Sequence, residues 1–198
     1  MAKISKDNIY YDAQESYRID KRDTWKLQLI RMYAHKKGLD IGCGSGRWLK
    51  NFPGWQGIDT DARAKATPGV KLGSVEDIPF EKNSFDIVLT SHILEHVTRE
   101  HFEKAMAEIN RVLKKNGILV VFGPNPSHQN FYNDYTHVNP VNVFSLSSVL
   151  KHTGFEILEA DFSLYRRLWL GKLLPRFLLN PLAPLLLSEY YVVARKKV

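Results

Sequence analysis

The sequence contains a single cysteine, Cys43, so the chain can form neither an internal disulfide bond nor a metal cluster built from several cysteines. A chain without disulfides fits a reducing compartment. Residues 1–17 are polar and charged and lack the apolar stretch of a secretory signal peptide. We therefore expect a cytoplasmic protein.

Acidic residues are in deficit. The chain has 21 Asp and Glu against 28 Lys and Arg, a formal net charge of +7. Such an excess is compatible with nucleic acid, an anionic membrane surface or an acidic substrate as partner. Long basic runs are missing, however, and aromatic residues do not alternate with basic ones as they do on a base-stacking surface. The composition therefore disfavours a nucleic-acid partner.

One segment, 162–187, combines basic and apolar character. It is rich in leucine and contains four cations, three prolines and no acid. Its charges and prolines exclude an ordinary membrane-spanning helix. Such a segment would lie at an anionic membrane surface, giving the protein a peripheral membrane contact, or would cover a lipid-like acceptor. The alternative, slightly favoured, is that it packs over the sheet or forms a dimer contact, and the oligomeric state stays open.

The 198 residues suit one domain with one sizeable core, and 44% apolar with 25% charged residues is ordinary for a globular protein. Helices are predicted at 24–37, from Arg47, and at 99–113 and 145–152. In the first helix we expect one buried face, formed by Trp25, Leu29, Met32 and Tyr33. Strands are predicted at 39–41, 56–59, 70–73, 84–90, 118–122, 155–161 and 190–195.

This alternation of strands and helices predicts an α/β fold with a doubly wound, mostly parallel sheet. The last two predicted strands have no helical crossover of ordinary length between them. We therefore expect the final strand to be antiparallel to its neighbours.

A glycine turn, residues 42–46, follows the first strand. Glycines permit positive φ angles and a close approach of a ligand to the backbone. In an open parallel sheet, ligands bind beyond the carboxyl ends of the strands. Acidic residues at the same edge, Asp40, Asp59 and the pair Glu76 and Asp77, predict a nucleoside pocket. The alternative for Asp59 is the N-cap of the next short helix.

Four motifs and their order resemble those of the class I S-adenosylmethionine-dependent methyltransferases, in particular the small-molecule branch called type 11. In chain order, the motifs are LDIGCGSG, GIDTD, GSVEDIPFEKNSFDIVLTSHILEHV and RVLKKNGILVV. The resemblance covers residues 38–123 and implies a Rossmann-like methyltransferase fold with S-adenosylmethionine as cofactor. It divides the single domain 1–198 into an N-terminal helical cap (1–37), a cofactor-binding core (38–123) and an acceptor side (124–198).

The resemblance also implies roles for individual residues. The methionine portion of the cofactor would be held by Asp40 and by the backbone of Gly42, Cys43 and Gly44. Asp59 would bind the ribose, with Thr60 beside it. Thr90, Ser91 and His92 would close over the sulfonium side.

The adenine end departs from the family pattern. Val75 and Glu76 would line the adenine, but Ser74 stands where the family commonly has an acid. The contact that this acid makes with the adenine amino group would then be made by Glu76 or by Asp77, and the sequence leaves this choice open.

Methyl transfer is an in-line displacement in which the protein mainly positions the reactants, and a base is needed only if the acceptor loses a proton. The long polar loop 124–140 indicates a functional role. We predict His137 or His128 as base. The alternative for His137 is a hydrogen bond that pins the loop. Residues Tyr132, Asp134 and Tyr135 are predicted to form the acceptor pocket.

The loop after the fourth strand offers His92, Glu95 and His96. We expect His96 to have a packing role. The spacing of the His, Asp and Glu residues does not indicate a metal site, and we expect none.

The loop 124–140 and the following SLSSVLKHTGFEILEADF resemble, more loosely, methyltransferases of glycan and lipid-linked saccharide pathways. This implies a small-molecule, glycan or lipid-linked acceptor with a hydroxyl group. Two other functions stay open. An NAD(P)-dependent reductase is disfavoured because Arg47 stands where its third glycine would be. A non-catalytic module that binds a nucleoside cofactor is the other alternative.

Overall fold

The computed structural model describes residues 23–34, 37–163 and 187–198. Of the basic, apolar segment 162–187, residues 164–186 lie outside this part, and so does most of the predicted N-terminal cap. The described residues form three α-helices: α1 (Thr24–Tyr33), α2 (Arg99–Val112) and α3 (Val143–His152). They also form seven strands: β1 (Gly38–Ile41), β2 (Gln56–Asp59), β3 (Val70–Leu72), β4 (Phe85–Ser91), β5 (Leu113–Pro124), β6 (Phe155–Phe162) and β7 (Glu189–Lys196).

The seven strands form one sheet in the order β3-β2-β1-β4-β5-β7-β6. Strands β1 to β5 pair in parallel, and β7 is antiparallel to both β5 and β6. The predicted α/β doubly wound sheet with an antiparallel last strand is thereby confirmed. The strand order reverses between β1 and β4, and such a switch point opens a crevice at the carboxyl ends of the strands.

Alternate residues of the central strands pack on opposite faces of the sheet. In β4, Val88 belongs to the core that lies against α2 and α3, whereas Ile87 and Leu89 belong to the core on the other face. That second core contains residues of α1 and the aromatic side chains of Trp48, Phe52 and Trp55. The sheet is therefore covered on both faces, which fixes its carboxyl edge as the place where a ligand can enter.

The helix predicted from Arg47 is wrong. Residues 44–48 form turns, and only Leu49–Asn51 form a short 3-10 helix. Positive φ angles at Gly46 (76°) and Gly54 (86°) bracket this segment. The stretch between them is too short to nucleate a stable α-helix, so the burial of its aromatic side chains determines its path.

The buried face of α1 also differs from the prediction. Trp25 and Leu29 are buried as expected, but Met32 is 55% exposed and Lys26 is only 5% exposed. Lys26 is buried because it forms an ion pair with Glu189, at the start of β7. A partner so distant in the sequence cannot be read from helical periodicity.

Strand β5 begins directly after α2, five residues earlier than predicted (Leu113 against 118). Its pairing with β4 shifts register between Phe85 and Ile87, and Asn116 adopts a positive φ of 60° inside the irregular stretch.

In the described part of the chain, we find no helix with the length and apolar character required to cross a bilayer.

Candidate active site

The glycine turn after β1 is tied to β2 through the backbone. The N–H groups of Gly42 and Cys43 both donate to the carbonyl oxygen of Ile58, at 2.8 and 3.0 Å. Gly42 has a φ of 70°, and a Cβ atom at this position would overlap the side chain of Ile93. Only glycine therefore fits at this point of the turn.

A cavity of about 470 Å³ opens beside this turn, at the carboxyl ends of the strands. Its volume lies in the range of small-molecule sites. It is lined by Ile41, Gly42, Asp59, Thr60, Asp61, Gly73, Ser74, Val75, Glu76, His92, Ile93, His96, Val97, Thr98, Thr136 and Val138.

Asp59 lies at one end of the cavity and is held by two backbone groups. Its Oδ2 accepts from the N–H of Gly44 at 2.7 Å, and its Oδ1 accepts from the N–H of Asp61 at 2.9 Å. The N-cap of the next turn is Asp61, whose side chain accepts from the N–H of Arg63. Asp59 is thus not the N-cap, and each of its oxygens keeps acceptor capacity toward a ligand in the cavity.

The predicted adenine end is formed by Ser74, Val75 and Glu76, all of which line the cavity. Asp77 is exposed and does not line it. Glu76 also forms an ion pair with His101 of α2, with 3.0 Å between Oε2 and Nδ1. Of the two acids that the sequence left open, the structure places Glu76 at the cavity.

Five predicted cofactor residues do not line the cavity: Asp40, Cys43, Gly44, Thr90 and Ser91. Asp40 is 1% exposed and lies beneath the glycine turn, and its Oδ2 has no hydrogen-bond partner among the described residues. Burial raises the pKa of Asp40 well above its ordinary value, and the charge of Asp59 raises it further. The Cys43 thiol is also buried, and burial raises its pKa.

His92 stands at the opposite wall of the cavity with a positive φ of 59°. Its Nε2 is 2.7 Å from Oε1 of Glu189, and its Nδ1 is 3.4 Å from Oε1 of Glu95. Desolvation by the surrounding protein lowers the pKa of His92, but the hydrogen bond with Glu189 and the nearby carboxylate of Glu95 outweigh it and raise this pKa to about 9.

The remaining wall is made by the loop after β5. The backbone N–H groups of Val138 and Asn139 both donate to the carbonyl oxygen of Glu95 at 3.0 Å. The Nδ1 atom of His96 lies 3.1 Å from the carbonyl oxygen of Thr136. These bonds hold Thr136 and Val138 against the cavity, so the two loops form one continuous wall.

The two predicted bases lie away from the cavity surface. Nδ1 of His137 donates to the carbonyl oxygen of Phe131 at 2.8 Å, so the loop-pinning bond expected as the alternative is present. Nδ1 of His128 accepts from the N–H of Asn130 at 3.2 Å. Neither ring lines the cavity, although His137 lies directly behind His96, with 4.9 Å between the ring centroids.

The residues predicted to form the acceptor pocket do not line the cavity either. Tyr132 and Tyr135 are 71% and 70% exposed. Asp134 accepts hydrogen bonds from the N–H and the hydroxyl of Thr136, at 2.9 and 2.6 Å, and so shapes the loop. Their contact with an acceptor stays a prediction.

Several residues that line the cavity on this side were not predicted from the sequence: Ile93, Val97, Thr98, Thr136 and Val138. His96 was expected to have a packing role, but it also lines the cavity. All of them follow β4 or β5, on the side of the switch point away from the glycine turn. Their position at the carboxyl ends of predicted strands could be read from the sequence, but the identity of the inward-facing residues depends on how the two loops hydrogen-bond to each other.

Comparison with known proteins indicates the same class of protein as the sequence motifs. Residues 39–121 match the family model described as Methyltransferase domain. A candidate methyltransferase of Encephalitozoon cuniculi is 40% identical over 91 residues, which is 42% of this chain and 43% of that protein. The demethylmenaquinone methyltransferase of Staphylococcus aureus is 30% identical over 121 residues, 51% of this chain and 49% of that protein. Each alignment thus spans about half of the relative's length.

The crystal structure of a SAM-dependent methyltransferase from Archaeoglobus fulgidus superposes with a TM-score of 0.72 at 22% identity, covering 94% of this chain and 100% of that one. At this identity the likeness shows the fold. Residues 39–121 therefore resemble the methyltransferase domain of type 11. The fold of the described chain is that of S-adenosylmethionine-dependent methyltransferases, which supports S-adenosylmethionine as the cofactor.

Proposed function

We propose that this chain transfers a methyl group from S-adenosylmethionine to a hydroxyl group of a small-molecule, glycan or lipid-linked acceptor. The observation that supports this most directly is the composition of the cavity walls. One end carries Asp59 and Glu76, whereas the other is formed by His96, Thr136 and Val138. A single cavity thus offers a nucleoside-binding end and a second polar end for an acceptor.

The cofactor end fits S-adenosylmethionine through the residues already described. The backbone at Gly42 has no side chain between the turn and the cavity, and Asp59 has acceptor capacity for two ribose hydroxyls. When bound, the cofactor supplies a methyl group that is already activated by its sulfonium. The protein then contributes mainly by holding the two reactants in line.

The acceptor end carries groups that can take up a proton. His96 lines the cavity, and His137 packs directly behind it. Both rings have Nδ1 within hydrogen-bonding distance of a backbone carbonyl, so the lone pair of each neutral imidazole lies on Nε2. We assign the removal of the proton from a hydroxyl acceptor to Glu95, His96 and His137 acting together.

The surface beside this end favours an acceptor with an apolar or ring-shaped part. Tyr132, Tyr135, Val138 and Phe144 are all exposed large side chains in 132–144. Aromatic side chains pack well against apolar groups and are suited to amphipathic ligands. This composition supports a glycan or lipid-linked acceptor over a purely ionic one.

Titration calorimetry with S-adenosylhomocysteine and, separately, with NADH tests the proposed activity at its first step. We expect micromolar binding of S-adenosylhomocysteine, about −8 kcal/mol, and no binding of NADH. Binding of NADH alone would support a reductase. Binding of S-adenosylhomocysteine without methyl transfer to a panel of sugar and lipid hydroxyls would favour a non-catalytic binding module.

Replacing Asp59 by alanine is expected to weaken S-adenosylhomocysteine binding by about 1.5–3 kcal/mol, because one charged hydrogen-bonding group is lost. The measurement is calorimetric affinity. Asp77→Asn is the matched control, since Asp77 is a nearby acid that is exposed and does not line the cavity. Equal affinities for the Asp59 variant and the wild-type protein would show that Asp59 does not bind the ribose.

Replacing His137 by alanine is expected to lower kcat roughly 100-fold while leaving the affinity for S-adenosylhomocysteine unchanged, because assistance to proton transfer is typically of this size. The measurement is the rate of methyl transfer to the best acceptor of the panel. His128→Ala serves as the comparison, since His128 is the other predicted base. A parallel loss of turnover and of cofactor affinity in His137→Ala would assign this residue a structural role.

A further inference from the structure

Three potential metal ligands meet behind the acceptor end of the cavity. Glu95 and His96 are adjacent in the turn after β4, and His137 comes from the loop after β5. One side-chain ligand atom of each lies within 4.8 Å of the others. The side chain of Glu95 is 4% exposed and that of His137 is 11% exposed. The group is therefore shielded from water on most sides, unlike an ordinary surface cluster.

The hydrogen bonds around His96 fix its tautomer. Its Nδ1 is 3.1 Å from both the carbonyl oxygen and the hydroxyl oxygen of Thr136. The Thr136 hydroxyl donates its own hydrogen to Oδ1 of Asp134 at 2.6 Å, so its oxygen can only accept from His96. The proton of His96 therefore sits on Nδ1, and its Nε2 carries the lone pair.

His137 has the same arrangement. Its Nδ1 donates to the carbonyl oxygen of Phe131 at 2.8 Å, and its Nε2 lies 4.0 Å from Oε1 of Glu95 and 3.8 Å from Oδ2 of Asp134. Histidines that bind metals almost always donate their other ring N–H to a carbonyl or carboxylate, which fixes the ring and raises the basicity of the ligating nitrogen. Both rings thus have the outer bonds that a metal ligand requires.

Glu95 supplies an independent observation. Its Oε1 is buried and accepts no hydrogen bond from the described residues. The nearest ring nitrogens are Nδ1 of His92 at 3.4 Å and Nε2 of His137 at 4.0 Å, both too distant for a good hydrogen bond. Leaving a buried carboxylate oxygen without a hydrogen bond is costly, and a bound cation reduces that cost.

We propose that Glu95, His96 and His137 bind a divalent transition-metal ion of the zinc type. Two imidazoles and one carboxylate are a ligand set that zinc uses, with a fourth position left for water or a substrate. Tetrahedral ligands at zinc distances lie roughly 3.3 Å apart, so side-chain movements of about 1 Å close the group around the ion. This departs from the expectation of no metal, which rested on spacing along the sequence.

The position of the site also indicates a role. His96 and Thr136 line the cavity at its acceptor end, so the ion lies next to the place proposed for the acceptor. With the ion bound, the Nε2 lone pairs of His96 and His137 are donated to the metal and no longer act as a base. Instead, a hydroxyl that binds zinc becomes more acidic and releases its proton to water at lower pH. This role rests on the proposed methyltransferase function, whereas binding of the metal ion does not.

Metal binding is tested with tag-free, chelator-treated protein without any cofactor, titrated with Zn²⁺ by calorimetry and with Co²⁺ by visible absorption. We expect one equivalent to bind and the Co²⁺ spectrum to show the intense bands of a four-coordinate site. Glu95→Gln and His137→Gln are expected to weaken binding at least tenfold. His152→Gln is the matched control, because Nδ1 of His152 also bonds to a carbonyl, that of Ser148, but on the surface of α3.

Stoichiometric binding lost in the two site variants and kept in His152→Gln supports the site. Absence of stoichiometric binding by the wild-type protein overturns it, and so does an equal loss in all three variants. Thermal unfolding of each variant shows whether it is folded, and His96→Asn, with an amide that can still bond to Thr136, replaces a variant that is not. Affinity for S-adenosylhomocysteine is measured on the same samples. Intact cofactor binding with no metal binding therefore refutes the metal site while leaving the proposed function standing.

Discussion

Replacing Lys26 by alanine is expected to lower the free energy of unfolding by about 3–5 kcal/mol, as when one partner of a buried ion pair is removed. Lys26 is 5% exposed, pairs with Glu189 and lies 3.4 Å from Asp23. Its ammonium group also lies 5.3 Å from the centre of the Phe122 ring. Without Lys26, the buried Glu189 keeps only His92 as a charged neighbour in the described structure. Urea-induced unfolding measures the change.

Two comparisons sharpen this prediction. The double variant Lys26→Met and Glu189→Gln removes both charges and is expected to recover much of the lost stability. Lys50→Ala, at an exposed lysine, is expected to have little effect. If Lys26→Ala is no more destabilising than Lys50→Ala, the ion pair contributes nothing to stability.

The same ion pair predicts a dependence of stability on pH. Burial raises the pKa of Glu189, but the charge of Lys26 and the hydrogen bond with His92 outweigh it and lower this pKa from 4.5 to about 2. Since the folded pKa is the lower one, the contribution is fully present above the unfolded pKa and is lost as the pH falls from about 5 to 2. Its size is roughly 3 kcal/mol. The difference in unfolding free energy between wild-type protein and Glu189→Gln should shrink over this range.

Replacing Gly42 by alanine is expected to abolish binding of S-adenosylhomocysteine and to destabilise the fold by roughly 2–5 kcal/mol. The positive φ costs about 1–2 kcal/mol for a residue with a Cβ, and the overlap with Ile93 adds about 1–3 kcal/mol. Relief of that overlap would require the end of the Ile93 side chain or the turn to move, and both line the cavity. Calorimetry and urea-induced unfolding measure the two effects.

Gly54→Ala is the matched control for the backbone effect. Gly54 also has a positive φ, 86°, but a Cβ there meets no atom within 4 Å. This variant should show only the cost of the φ angle and should keep its cofactor affinity. Comparable losses in the two variants would mean that the contact with Ile93 is unimportant, and retained binding in Gly42→Ala would remove the turn from the cofactor site.

Local patterns predicted much of the fold. The strands β4 and β5 are compact apolar runs, and the glycine turn marks the end of β1. No helical crossover of ordinary length was predicted between β6 and β7, which indicated that β7 is antiparallel. These features are encoded by neighbouring residues. The helix predicted from Arg47 was wrong because its apolar residues are held by packing among Phe52, Trp55 and their neighbours in a segment too short for a helix.

The site was harder to predict, and most of all its acceptor side. Residues from the motifs, such as Asp59 and Glu76, do line the cavity. In the loop after β5, however, the predicted tyrosines are exposed, while Thr136 lies at the cavity because Asp134 turns the chain and His96 bonds to the threonine. A contact between two loops 40 residues apart leaves no local signal in the sequence.

The placement of β7 has a consequence for biosynthesis. This strand is the last of the seven to leave the ribosome, yet it lies inside the sheet, between β5 and β6. It also begins with Glu189, the residue that pairs with Lys26 and His92. Pairing between such distant segments is slow, and until it occurs β5 and β6 expose open edges. A nascent chain thus completes the wall at His92 only after all seven strands have been synthesised, and until then the edges of β5 and β6 are open to pairing with other chains.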